Sequence, residues 1–400
     1  MGELIPDPDL DRLIHEMNRD ADGAVGADGI EAAWNGPDLR EVHRDEPLDA
    51  VLQEMVRRAA SDVLLIPGAA PVVRVDGRLE TLPLPEVDHT TVRGLFAAHL
   101  SRRAERQLAE RGAADFSLRL SGPDEAIAWR MRVNLQRQGG GLAAAVRALP
   151  RRIPDLDELN LPPVLGDLAD AGNGLILVCG PTGSGKSTTM AAMLDRVNRG
   201  AVRHVITIED PVEYEHTNRR SVFEHVEIGT DAPAFGVALS SALRRDPDVI
   251  LVGEMRDLET IATALTAAET GHLVLSTLHT SDSAQAIHRI VDVFPAAQQE
   301  QIRHQLALAL RAVVCQQLVP TAGGRGRVPA VELLLATYAV RNHIRRGTTE
   351  RIYNELIAGR SRGMQTMEQA LSDLVGAGAI SSDEAQARSS RPDELGRMLG

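Results

Sequence analysis

Few folds can place five apolar residues, Leu175–Cys179, directly before Gly180-Pro-Thr-Gly-Ser-Gly185-Lys186-Ser187-Thr188. The run has the length of a buried strand, and the stretch after it, Thr189 to Val197, reads as a helix. Strand, G-x-x-x-x-G-K-S and helix form the required context of a phosphate-binding P-loop. Its glycines let the backbone bend so that successive N–H groups surround an anion. The positive end of the following helix adds to that field. Gly180, Pro181, Thr182, Gly183, Ser184, Gly185, Lys186, Ser187 and Thr188 are therefore the expected nucleotide-binding residues. Lys186 is placed to reach the β- and γ-phosphates of ATP, and the Ser187 hydroxyl to ligate Mg²⁺.

Composition supports this reading. Of 43 Lys plus Arg residues only one is lysine, and it is Lys186. A planar guanidinium does not replace a compact ammonium in a loop shaped around phosphates. The net charge of −13 argues against general nucleic-acid binding, which needs a basic surface. Two cysteines, Cys179 and Cys315, are too few for a disulfide framework and fit a reducing compartment. No run approaches the roughly 18 apolar residues of a membrane span, and the acidic start Met1-Gly-Glu-Leu-Ile-Pro-Asp7 is not a secretory signal. The expected location is cytoplasmic.

Four segments are expected. Through residue 46 there are 13 Asp or Glu against 4 Arg, so 1–45 reads as an acidic, flexible extension with one short helix at Asp9–Arg19. Residues 46–150 read as a small α+β domain. It would comprise a helix around Leu48–Met55, a strand from Asp62, a hairpin turning at Asp76-Gly77, a helix from Thr90 to Gly112 and a strand over Ile127–Gln136. That strand alternates Trp129, Met131, Val133 and Leu135 with Arg130, Arg132, Asn134 and Gln136, and a last strand ends at Arg147. The sheet thus offers an arginine-bearing face, which pattern alone leaves open between plain solvated surface and function. Residues 151–163, rich in proline, read as a linker. In 164–400, strands at Leu175–Cys179, His204–Ile208, Val249–Val252 and Leu273–Thr277 alternate with helices, which predicts a parallel sheet covered on both faces. Helix is expected over Gln298–Gln317, a strand over Val328–Leu334, and a fraying tail from Ser381.

Ligands gather at the carboxyl ends of such strands. The second strand runs into Glu209-Asp-Pro-Val-Glu213-Tyr-Glu215, the third into Gly253-Glu254, and the fourth into His279, with His272 at its other end. Carboxylates in those places can hold Mg²⁺ or activate a water for attack on a γ-phosphate.

The stretches Ile206–Tyr214, Leu243–Asp257 and Thr270–Thr280 resemble the Asp-box, Walker B and His-box motifs of secretion-type hexameric ATPases. Ala339–Gly347 and Gly363–Gln369 resemble the type IV pilus retraction branch, the likeness running from about residue 46 to 375. The resemblance implies a RecA-like P-loop ATPase domain preceded by a small PAS-like α+β domain, closed into a homohexamer. It implies that Glu213 activates the attacking water and that Glu254, the Walker B acid, acts on Mg²⁺. It implies that His272 and His279 sense phosphate and couple subunits, and that Arg132 and Arg147 aim at the nucleotide from the small domain. The implied partner is an inner-membrane pilus platform protein, at the cytoplasmic face of that membrane. The nearest alternative is a pilus-extension or type II secretion ATPase. Those relatives carry a four-cysteine metal loop after the His box, whereas only Cys315 follows it here, so no zinc is expected. A nucleic-acid translocase is disfavoured by the acidic balance and the 2% aromatic content, and no nucleic acid is expected as a partner. A non-hydrolysing nucleotide-gated scaffold would leave the filled acidic positions without a purpose.

Overall fold

A computed structural model describes residues 46–75, 77–120, 129–324 and 326–400. The expected helix at Asp9–Arg19 and the residues Asp76 and Ile127 lie outside that set. Among the described residues thirteen strands form two sheets. The smaller is wholly antiparallel, with β1 (Asp62–Leu65), β2 (Val72–Val75), β3 (Arg78–Thr81), β4 (Ala113–Leu120), β5 (Trp129–Gln138) and β6 (Gly141–Ala148) in the order β3-β2-β1-β6-β5-β4. Period two does what it predicts in β5: Met131, Val133 and Leu135 are fully buried. They pack with Leu52 and Met55 of the helix Glu46–Arg57, Phe96 of His89–Ala97 and Leu108 of Arg102–Arg111.

One expectation fails in this region, and one strand goes unmarked in the sequence. The single helix over 90–112 is two helices, because Ser101 caps a second one, its Oγ accepting the Ala104 N–H at 3.2 Å. Gly112 ends it at φ +74°, a conformation open to glycine. Strand β4 then follows, in a stretch that the sequence pattern does not mark.

The larger sheet has the order β13-β12-β7-β11-β10-β8-β9. Its strands are β7 (Gly174–Cys179), β8 (His204–Glu209), β9 (Val222–Glu227), β10 (Val249–Val252), β11 (Leu273–Leu278), β12 (Leu310–Pro320) and β13 (Arg327–Leu335). All neighbours are parallel except β12 and β13. Alternate residues of β7 enter separate cores: Leu175 and Leu177 on one face, Ile176 and Val178 on the other, as in a sheet covered by helices on both sides. The first core is capped by helices that include Leu258–Glu269, Ser283–Asp292 and Gln299–Ala309; the second by Lys186–Gly200. Helix was expected to run on to Gln317, but it stops at Ala309 and β12 begins, parallel to β7. The tail is not frayed: Leu395 in the last helix, Pro392–Leu399, is fully buried against a cluster with Val319 and Leu371. Among the described residues no helix is long and apolar enough to cross a membrane.

Candidate nucleotide site

The P-loop joins β7 to the helix Lys186–Gly200. Gly180, Gly183 and Gly185 take φ of +139°, +79° and +91°, conformations that a side chain would oppose. Gly185 stands at the N-cap position with no side-chain cap, so the first turn of the helix points its N–H groups into the loop. Lys186 is 8% exposed and its Nζ donates to the carbonyls of Gly180 and Pro181 at 2.8 and 2.9 Å. Burial pulls its ammonium below the ordinary lysine value, while Cys179 and the Glu213 carboxylate pull the other way. Ser184 Oγ is buried in the loop without a hydrogen-bond partner. An orphaned hydroxyl, inward N–H groups and a cation across the mouth suit a bound polyphosphate.

The loop rests on a residue that the sequence motifs do not reveal. Gln316 of β12, 4% exposed, donates from Nε2 to the Ser184 carbonyl at 2.8 Å and accepts from Thr189 Oγ1 at 2.8 Å. The backbones are so close that a Cβ on Gly180 would lie 2.2 Å from the Gln316 carbonyl oxygen. No local pattern marks this contact, which spans more than a hundred residues and depends on β12 lying beside β7.

Beside the loop, β8, β10 and β11 end together. Hydroxyls of β11 fix the end of β10: Ser276 Oγ donates to the Val252 carbonyl at 2.7 Å and Thr277 Oγ1 to that of Gly253 at 2.5 Å. This sets the stance of Glu254, whose Oε2 lies 2.7 Å from Arg256 and 4.0 Å from His279 Nε2. Partial burial and the charge of Lys186 lower the pKa of His279, against the opposing pull of Glu254. Asp257, within the Walker B stretch, caps the helix Leu258–Glu269 by accepting the Thr260 N–H at 2.8 Å.

The Asp-box segment crosses the end of β8 and is pinned residue by residue. Glu227 accepts the Val212 N–H at 3.2 Å and Glu209 the Glu213 N–H at 3.3 Å. Tyr214 OH and Thr188 Oγ1 share a hydrogen bond of 2.9 Å, tying the segment to the P-loop helix. His225 Nε2 accepts the His216 N–H at 3.1 Å, so its Nδ1 carries the proton and donates to Thr207 Oγ1 at 2.8 Å. Burial lowers the pKa of His225, and it pushes that of His216 down to about 3. Glu209 is desolvated and its pKa rises to about 7, although hydrogen bonds from Glu213 and Thr207 oppose the rise. Glu213 itself stands half-buried beside Lys186.

Of the expected site residues, the structure gathers Gly180–Thr188, Glu213, Glu254 and His279. It does not bring three others to this place. His272 lies at the opposite end of β11, about 20 Å away at strand rise, with its Nδ1 2.9 Å from the Ala267 carbonyl. Arg132 and Arg147 are cross-strand partners on the polar face of the smaller sheet, as expected, but they face carboxylates of that sheet. Arg132 lies 3.7 Å from Asp115, and Arg147 donates to Asp62 at 2.8 Å. The arginines of that face that do reach the Asp-box segment are Arg119 and Arg130, which both meet Glu215, Arg130 at 3.3 Å.

Comparison with known proteins agrees with this geometry. The family model described as "Type II/IV secretion system protein" matches residues 41–394. The chain is 42% identical over 339 residues to the type IV pilus retractation ATPase PilT of Pseudomonas aeruginosa, covering 85% of this chain and 97% of that one. It is 43% identical over 325 residues to a twitching motility protein of Neisseria gonorrhoeae, covering 81% and 86%. A crystal structure of the pilus retraction motor PilT with bound ADP superposes with a TM-score of 0.80 at 44% identity, covering 87% of this chain and 98% of that one. The larger sheet with its P-loop is thus that of a RecA-like ATPase fold, and the chain belongs to the type II/IV secretion system protein family.

Proposed function

We propose that the chain is an ATP-hydrolysing motor that powers retraction of type IV pili. The observation that carries this is the convergence of Glu213, Glu254 and His279 beside a P-loop whose single lysine lies across its mouth. Similarity to a retraction ATPase and a twitching motility protein over more than four-fifths of the chain supports the direction of work. Glu213 is the base that takes the proton of the attacking water. Mg²⁺ takes few protein ligands and several phosphate and water oxygens, a pattern that the Ser187 hydroxyl and Glu254 fit. Mg²⁺, when bound, would offset charge on the phosphates. His279, beside Glu254, is placed to respond to the γ-phosphate.

In this reading residues 46–150 are a PAS-like domain, 151–163 a linker and 164–400 the ATPase domain, while 1–45 is an acidic extension. The working form is a homohexamer on the cytoplasmic face of the inner membrane, docked on a pilus platform protein. His272 acts between neighbouring copies, and Arg132 and Arg147 reach nucleotide when the angle between the two sheets changes. The test is ATPase rate against protein concentration for wild type and Glu213→Ala, with mass by light scattering. Turnover should rise as hexamer forms and fall at least about 100-fold in the variant. Equal turnover by both would remove Glu213 as the base and point to Glu209.

A further inference from the structure

Five consecutive residues, Val212 to His216, carry Glu213, and the structure anchors them from both sheets. From the larger sheet, Glu227, Glu209 and His225 accept the N–H groups of Val212, Glu213 and His216. From the smaller sheet, Arg119 and Arg130, directly opposite each other on β4 and β5, both meet the Glu215 carboxylate. Arg119 donates to Glu215 Oε2 at 3.2 Å, and Arg130 Nε lies 3.3 Å from Oε1. The other end of the Arg130 fork lies 3.6 Å from Glu227, whose Oε1 also accepts from Ser117 of β4 at 3.1 Å. Glu227 therefore holds the Val212 backbone and the smaller sheet with one carboxylate.

The Arg130–Glu227 pair is not a loose surface contact. The side chains of Arg130 and Glu227 are 11% and 13% exposed, where a charge that loses its partner is left poorly solvated. A planar fork spanning two carboxylates also fixes direction as well as distance. Glu213 is bracketed by two groups, Val212 N–H through Glu227 and the Glu215 side chain, and Arg130 of the smaller sheet touches both carboxylates.

We infer that Arg130 is a positioning residue for hydrolysis: through Glu215 and Glu227 it makes the stance of the smaller sheet set the place of the Glu213 carboxylate. This rests on Glu213 being the base. The P-loop is pinned from β12 by Gln316, whereas the ion partners of Arg130 are Glu215 and Glu227. The Tyr214–Thr188 bond links the segment to the P-loop helix, so nucleotide binding responds less than the chemical step to loss of Arg130.

The test compares wild type, Arg130→Gln, Arg130→Lys, Glu215→Gln and the Arg130→Gln/Glu215→Gln pair in the full chain. Arg130→Gln should lower kcat by about tenfold or more, with KM for ATP and affinity for ADP within about twofold. Arg130→Lys, which keeps the charge but loses the fork, should recover part of kcat. The double variant should be no slower than Arg130→Gln, because both remove one coupling. Amide exchange of residues 212–216, followed without nucleotide, should speed up in Arg130→Gln. Unchanged kcat with unchanged exchange overturns the inference, as does a loss carried by KM. A wild-type chain with no turnover sinks the ATPase reading instead, while exchange at 212–216 still decides whether Arg130 holds the segment.

Discussion

Replacing Gln316 by alanine isolates what holds the P-loop in shape. The amide serves Ser184 and Thr189, which are 3% and 1% exposed, so its loss strands a carbonyl and a hydroxyl away from water. Each such group costs about 1–3 kcal/mol, giving roughly 2–6 kcal/mol for the pair. Part of that is spread over the sheet as lost global stability. The part confined to the loop weakens nucleotide binding, and at about 1.4 kcal/mol per decade affinity should fall about 10- to 100-fold. Fluorescent-nucleotide titration measures this, with urea unfolding on the same samples to apportion the global share. Gln316→Glu sharpens the case. It keeps an acceptor for Thr189 but sets a carboxylate against the Ser184 carbonyl, so binding should be at least as weak as in the alanine variant. Affinity within about twofold of wild type in either variant would refute the argument that this side chain, rather than the loop's own glycines, maintains the binding shape.

Two further outcomes follow from burial. The pKa of Glu209, raised from 4.5 to about 7 mainly by desolvation, means that the folded chain holds a proton there which the unfolded chain has released. This stability is present at low pH and is lost as pH climbs from about 4.5 through about 7, a difference on the order of 3 kcal/mol. Glu209→Gln, which keeps the acceptor for the Glu213 N–H, should therefore gain stability relative to wild type over that window and hold the gain above it. Parallel pH dependence of the two urea midpoints would refute the assignment. Leu395→Ala, at a fully buried position near the carboxyl end, should cost about 2–5 kcal/mol if the last helix is integral to the core. Loss of less than about 0.5 kcal/mol in urea unfolding would show that the terminal packing contributes little.

The parts of the fold legible in the sequence are those where one local rule acts alone. Strands β7, β8, β10 and β11 are buried on both faces and read as continuous apolar runs, with the chemistry just beyond them. The alternation in β5 is equally plain because one face is polar. Strand β12 is hidden by its approach, Leu306-Ala-Leu-Ala-Leu310, which satisfies a helical period, so that Val313 and Val314 are the only β-branched signal before Gln316. Strand β9, at the sheet edge and mostly half-buried, carries Glu224, His225 and Glu227 where the other parallel strands are apolar. It escapes notice for the same reason that it matters: its polar side chains hold the Asp-box segment. Within the site, the loop and the strand-end acids announce themselves by motif. Gln316 and Arg130 do not, because each acts across a distance in sequence that only the packed sheets close.

The solitary Lys186 makes the nucleotide site chemically addressable. Amine-selective reagents find only one side chain in 400 residues, plus the α-amino group, and that side chain lies tucked into the phosphate loop. Because burial depresses its pKa, the neutral, reactive amine is more available than on an ordinary surface lysine, although access is narrow. Acylation of this chain, read by mass spectrometry, is therefore a site-specific occupancy meter that needs no engineered label. A chain that uses arginine everywhere else has supplied, at one position, the orthogonal handle that protein chemists usually have to install.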